Sequence, residues 1–165
     1  MLYLYLYQIQ QQMKSELNSM DIKFSVALHI MVMISESKEI QNSDSLAKSV
    51  NTNPSYIRKI TALLKKADLI EATQGKSGMS LKQPSETINL LHIYSAVHPV
   101  EQKLLNIHSN VNQECPVGKH IEAVIHPIFD DAEQQLYQAL QKQTLSQVIT
   151  EMRKQYDESS TNQAI

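Results

Sequence analysis

Four cations stand close together between Asn53 and Ala67: Arg58, Lys59, Lys65 and Lys66, with no acid among them. Spaced this way on a helix, they share a broad face that can meet phosphate, or simply be solvated. Ser55 and Tyr56 lie at the start of the same stretch and can donate hydrogen bonds. A second cation, Lys76, sits between Gly75 and Gly78 and is flanked by Gln74 and Ser77. That is the make-up of a tight turn carrying polar donors. The single cysteine, Cys115, precedes Pro116 and therefore falls at a predicted helix start, where the helix dipole favours thiolate. It is the candidate redox-sensing thiol; the alternative is an inert loop cysteine.

Other chemistry is thin. One cysteine excludes an intramolecular disulfide and any site built from several thiolates of one chain. The six histidines show no paired ligand spacing joined to a carboxylate, so no metal is expected. His29 reads as a core or interface residue. Asp130, Asp131 and Glu133 read as a solvated face. A thiol enzyme built on Cys115 would lack a base and oxyanion donors at useful spacing, so no enzyme is expected. Three glycines in 165 residues leave no glycine-rich phosphate loop.

Those residues need elements to position them. Residues 22–35 are apolar nearly all round and predict a buried helix. Ser43 can cap a short helix bearing Leu46, Ala47 and Val50. Asn53 is a good cap for the next, with Pro54 in its first turn and Ile57, Ile60, Leu64 and Ala67 as the buried stripe. Residues 69–73 and 79–81 predict a hairpin. Thr87 can cap a helix bearing Ile88, Leu91, Tyr94 and Val97. From Pro116 a near-heptad pattern runs through Val117, Ile121, Val124, Ile125, Ile128, Ala132, Leu136 and Leu140, interrupted by Pro127. Thr144 to Gln147 fits a capping box before a last helix with Leu145, Val148, Ile149 and Met152.

Charge follows this layout. Residues 20–84 hold nine Lys/Arg against six Asp/Glu, and residues 85–165 hold five against ten. The two halves are therefore expected to meet different partners. The expected fold is mainly α: a winged helix-turn-helix DNA-binding domain with a small β-hairpin wing over 20–84, then a linker helix and dimerisation region over 85–156. Residues 1–19 read as an extension ahead of Met20, and 157–165 as a flexible tail. A second helix entering the major groove needs outward donors and no acids. One such helix reads too few base pairs alone, so a homodimer on double-stranded DNA follows. Its seam would be Ile121, Val124, Ile125, Ile128, Ala132 and Leu136, unless the stripe packs within one subunit. The alternative function is a winged-helix protein-interaction module without DNA binding. No apolar run reaches the roughly 20 residues of a membrane span, and the expected location is the cytoplasm.

Several stretches are similar to the Rrf-two family of bacterial transcription regulators. They are residues 20–28, Leu46-Ala47, Pro54-Ser55-Tyr56-Ile57, residues 63–70, Gly75-Lys76-Ser77-Gly78, residues 88–97, Cys115-Pro116-Val117-Gly118 and Thr144-Leu145. The match covers roughly 20–153 and supports Met20 as the natural start. The resemblance implies a homodimeric DNA-binding regulator, in most cases a repressor, responding to a small-molecule or redox signal. It implies DNA contacts at Ser55 and Tyr56, with Arg58 and Lys59 at the adjacent readout positions. The family wing usually has Arg where Gln74 stands, and often a further glycine where Met79 stands; both departures imply an altered site preference. Cluster-binding members use three cysteines before the long helix. Here only Cys115 stands, so an iron–sulfur cluster is not supported and no cofactor is expected. The resemblance is strongest to the clusterless branch bearing Cys-Pro-Val-Gly.

Overall fold

The fold is read from a computed structural model that describes residues 22–37, 39–72, 78–98, 103–108 and 110–162, with side chains as far as 158. The extension 1–19 and the wing-tip residues Gln74, Lys76 and Ser77 lie outside the described residues. Helix α1, residues 22–36, runs through the centre and buries Val26, Ala27, Ile30, Met31 and Val32. Its nearly uniform hydrophobicity suits an element covered on most sides. His29 corrects the expectation of a core histidine. It is exposed, with Nε2 2.9 Å from Ser49 Oγ.

Helix α2 spans Ser43–Val50 and α3 spans Pro54–Lys66. Asn42, not Ser43, caps α2: its side chain accepts from the N–H groups of Asp44 and Ser45, both at 3.0 Å. Ser45 Oγ in turn accepts from Asn42 N–H. Asn51 then closes the helix in the left-handed region, at φ 56°, where asparagine is tolerated. Asn53 caps α3 by accepting from Tyr56 N–H at 2.8 Å, and Pro54 loses nothing by lacking an N–H there. The buried face of α3 is Ile57, Ile60, Thr61 and Leu64. Ala67, expected in that stripe, is exposed because the helix has ended. Thr61 is buried in its turn because its hydroxyl donates to Arg58 C=O at 3.2 Å.

Strands β1 (Ile70–Ala72) and β2 (Met79–Leu81) pair antiparallel, with Ile70 opposite Leu81 and Ala72 opposite Met79. The wing is tied to the turn before α2, since Met79 N–H donates to Gln41 C=O at 3.0 Å. Gly78 makes this approach fit. A Cβ there would stand 1.6 Å from Ile40 Cγ2 and 3.2 Å from Gln41 O.

Helix α4 is Leu90–Val97. Its cap is Asn89, which accepts from His92 N–H at 2.9 Å. Thr87 instead donates to Pro84 C=O, correcting the expected cap. Helix α5, Pro116–Lys142, continues unbroken through Pro127. Helix α6, Leu145–Asn162, begins with the expected reciprocal pair: Thr144 N–H donates to the Gln147 side chain and Gln147 N–H to Thr144 Oγ1. It remains helical into the polar stretch beyond Asp157.

The chain therefore leaves the core along α5 and comes back with α6. Leu145 N–H donates to Ile88 C=O at 2.8 Å and Leu90 N–H to Gln143 C=O at 2.9 Å. Leu145 is fully buried and Ile149 nearly so, in the same core as Ile30, Leu46, Ile60 and Ile93. Arg153 grips Glu36 at the end of α1 with two donors, at 2.6 and 2.9 Å. Each fully buried aliphatic side chain in such a core contributes about 1.5–3 kcal/mol.

Candidate nucleic-acid interface

The face of α3 opposite its buried stripe carries Ser55, Arg58, Lys59, Ala62, Lys65 and Lys66, all exposed. With 100° per residue, burial of Ile57, Ile60 and Leu64 forces these positions outward together. Among the described residues none of the four cations has an ion-pair partner. This differs from Lys82 at the base of the wing, whose Nζ lies 2.6 Å from Asp68 Oδ1. The α3 cations keep their full charge toward solvent, and Lys82 does not.

Tyr56 is half-buried, packed against the core near the start of α3. Burial pushes its phenol pKa up, so at neutral pH it is an O–H donor. Asn53 has satisfied the Tyr56 N–H, while other first-turn N–H groups of α3 remain available to an anion. Beside this face, a groove of about 440 Å3 runs between α2, α3 and the wing, lined by Asn42, Ser43, Arg58, Thr61, Lys65 and Met79 among others. Sequence reasoning placed Arg58 and Lys65 on one helix but did not join them to the start of α2. The signal was Asn42-Ser43-Asp44-Ser45, a run of capping residues, but what brings it beside α3 is the turn between the two helices. The structure thus gathers Ser55, Tyr56, Arg58, Lys59 and Lys65 on one surface.

Helix α5 has two unlike faces. Val117, Val124 and Ile128 are 68%, 59% and 60% exposed. Ala132 is also exposed, and Ile121, Ile125 and Leu136 are half-buried. The opposite face is held by residues 103–108 and α4. Glu133, expected in solvent, is the one buried residue of α5, and its Oε1 accepts from Leu105 N–H at 2.8 Å. Asp130, also expected in solvent, takes Lys103 at 2.7 Å and His126 at 2.8 Å. The Lys103 hydrogen bond, with His126 adding to it, holds the Asp130 carboxyl below its usual range. These corrections share one cause: a segment 27 or 28 residues earlier crosses α5 and supplies partners that no local pattern reveals. Tyr94 of α4 and Tyr137 of α5 pack with ring centroids 6.0 Å apart.

Cys115 is exposed and directly precedes α5. Its sulfur closes no capping hydrogen bond of ordinary geometry, yet the backbone N–H groups of Gly118 and then Val117 hold the thiol below its usual pKa. No group of three His, Cys, Asp or Glu among the described residues is placed to hold a metal ion. A cluster bound within one chain takes about four ligands, mostly thiolates, so a lone Cys115 does not fit one.

Comparison with known proteins agrees with this geometry. Residues 20–151 match the family model Rrf2, described as an iron-dependent transcriptional regulator. A Bacillus subtilis (strain 168) protein named "Putative HTH-type transcriptional regulator YwnA" is 36% identical over 130 residues, covering 79% of this chain and 96% of that one. A crystal structure titled as "a putative DNA binding protein" superposes with TM-score 0.63 at 34% identity, covering 77% of this chain and 98% of that one. A regulator structure from Lactobacillus plantarum gives TM-score 0.65 at 23% identity, over 84% and 98%, which speaks to the fold alone. With the helix pair, the wing and the long helix in their expected order, the chain belongs to the Rrf2 family of winged helix-turn-helix transcriptional regulators.

Proposed function

We propose that this chain is a sequence-specific DNA-binding repressor, working as a homodimer in the cytoplasm and without enzymatic activity. The observation that carries the DNA reading is the acid-free face of α3, whose four cations lack ion-pair partners among the described residues. Ser55 and Tyr56 would contact the backbone at the start of the helix, Arg58 and Lys59 would reach base edges, and Lys65 would meet phosphate. Gln74, Lys76 and Ser77 of the wing tip are assigned to the neighbouring backbone. The two-fold partner would cover the α5 face of Val124 and Ile128 and set the second recognition helix about one DNA turn away. That the exposed stripe is apolar, while the other face is already occupied, supports the pairing.

The family description names iron, and the donor set here does not fit a cluster within one chain. No step is therefore routed through one. The signal is assigned to a small molecule or a redox change, with Cys115 as the redox candidate.

The test is fluorescence anisotropy on duplex DNA from the chain's own upstream region, at several salt concentrations. Binding should weaken steeply with salt. The Arg58→Ala, Lys59→Ala double variant should lower the log–log slope by up to roughly 2, at about 0.9 for each phosphate that is no longer neutralised. Sedimentation should leave its oligomeric state unchanged. A flat salt response in the wild type would replace the DNA reading with a protein-interaction module. Unaltered binding by the double variant would move the interface off α3.

A further inference from the structure

A second cleft, separate from the DNA-facing groove, lies on the other flank of α3. It has a volume of about 440 Å3 and is bounded by α1, the end of α3 and α4. Its walls are Leu63, Ala67, Ala96 and Val97, with Lys23 and Lys66 at opposite sides. Ser95 and the buried His98 complete its described lining, which contains no Asp or Glu. It shares no residue with the groove of Arg58 and Lys65. Leu63 is 37% exposed there, an apolar side chain turned outward on a helix whose other outward positions are largely charged. Neither Lys23 nor Lys66 has an ion-pair partner among the described residues.

We propose that this cleft binds a small organic carboxylate with an apolar body, its carboxylate held between Lys23 and Lys66 and its body against Leu63, Ala67 and Ala96. The volume falls in the range of small-molecule sites, roughly 300–1,000 Å3, which pair apolar walls with a few placed polar groups. Two ammonium groups and no carboxylate select an anion. The apolar walls argue against a bare phosphodiester, which has no body to bury, and this separates the site from the DNA surface. The ligand would touch α1, α3 and α4 together, and so would bear on the helix whose other face is cationic. The assignment does not depend on the DNA reading.

The experiment is an NMR titration of the 15N-labelled full chain with phenylacetate and octanoate, with phenylacetamide and inorganic phosphate as comparison probes. The carboxylates should shift the amides of Leu63, Lys66, Ala67 and Ala96; the amide and phosphate should not. The Lys23→Gln, Lys66→Gln double variant should weaken carboxylate binding at least about tenfold, as expected for losing charge-assisted hydrogen bonds. Both side chains reach solvent, so the variant should stay folded, with an unchanged far-UV spectrum. Lys119→Gln, on α5, should bind as wild type. Absence of shifts up to about 10 mM carboxylate, a concentration that detects even weak sites, would overturn the proposal. So would equal shifts with phenylacetamide or phosphate, or unchanged affinity in the double variant.

Discussion

Helices α3 and α5 divide their polarity in opposite ways. α3 buries an apolar stripe of Ile57, Ile60 and Leu64 in its own chain and turns cations to solvent. α5 buries a carboxylate, Glu133, and turns Val117, Val124 and Ile128 to solvent. What each leaves exposed indicates what it lacks. Exposed cations without acids are complete as a fold and incomplete only toward a polyanion. An exposed aliphatic stripe on a 27-residue helix is incomplete as a fold, because water is a poor neighbour for it. The polar contacts of α5 are spent inside the chain, at Lys103, Leu105 and Tyr94, so its apolar side is the one left to recruit a copy.

The sharpest way to break that contrast is to ask whether the DNA-facing half stands without α6. Leu145→Ala removes a fully buried side chain and should cost about 2–5 kcal/mol in urea unfolding, as large-to-small core changes do. A loss below roughly 1 kcal/mol would show that α6 is dispensable to that core. The next largest effect concerns the α5 stripe. Val124→Asp with Ile128→Asp should abolish self-association in sedimentation velocity while leaving the helical spectrum intact, since both positions are exposed within one chain. Two carboxylates left in an apolar interface would cost several kcal/mol. A wild-type chain that is already monomeric, or a variant that still pairs, would move the interface elsewhere.

A smaller effect is expected where residues 103–108 cross α5. The folded carboxyl pKa of Asp130 is lowered, first by the Lys103 hydrogen bond. Such a group stabilises at pH values above its unfolded pKa, near 3.8, and loses that contribution as pH falls through the folded value. Acid titration followed by Lys103 side-chain NMR should therefore release Lys103 only below the usual carboxylate range. Asp130→Asn should release it at every pH. Release of Lys103 at about pH 5 in the wild type would contradict the geometry. The smallest effect is at Cys115, whose alkylation by iodoacetamide should reach half its maximal rate below pH 9.0, the ordinary thiol value. A midpoint at or above that value would leave the thiol without help from α5.

Much of α3 was legible because its information is local. Asn53-Pro54 sets a cap and a first turn, and apolar residues recur every three or four positions. The hairpin was legible from Gly75 and Gly78, although the reason for Gly78, the closeness of Ile40, was not. The cap of α2 stands one residue before the expected Ser43, and that of α4 two residues after the expected Thr87. Ser43 and Thr87 are about as good in isolation as Asn42 and Asn89, and only the path of the preceding chain chooses between them. Nothing local marks Glu133 as buried: its periodicity is that of a polar face, and its partner lies 28 residues away.

The amino-acid order alone determined which segments become helices, where most of them start, and that one side of α3 would be cationic. These depend on residue type and on spacings within about a turn, which act before any distant contact forms. The tertiary structure decided that α6 returns to the core, that residues 103–108 bury Glu133, and that Lys23 and Lys66 border one cleft. Such pairings depend on where a chain reversal delivers its far end, and the period of a helix carries no record of that.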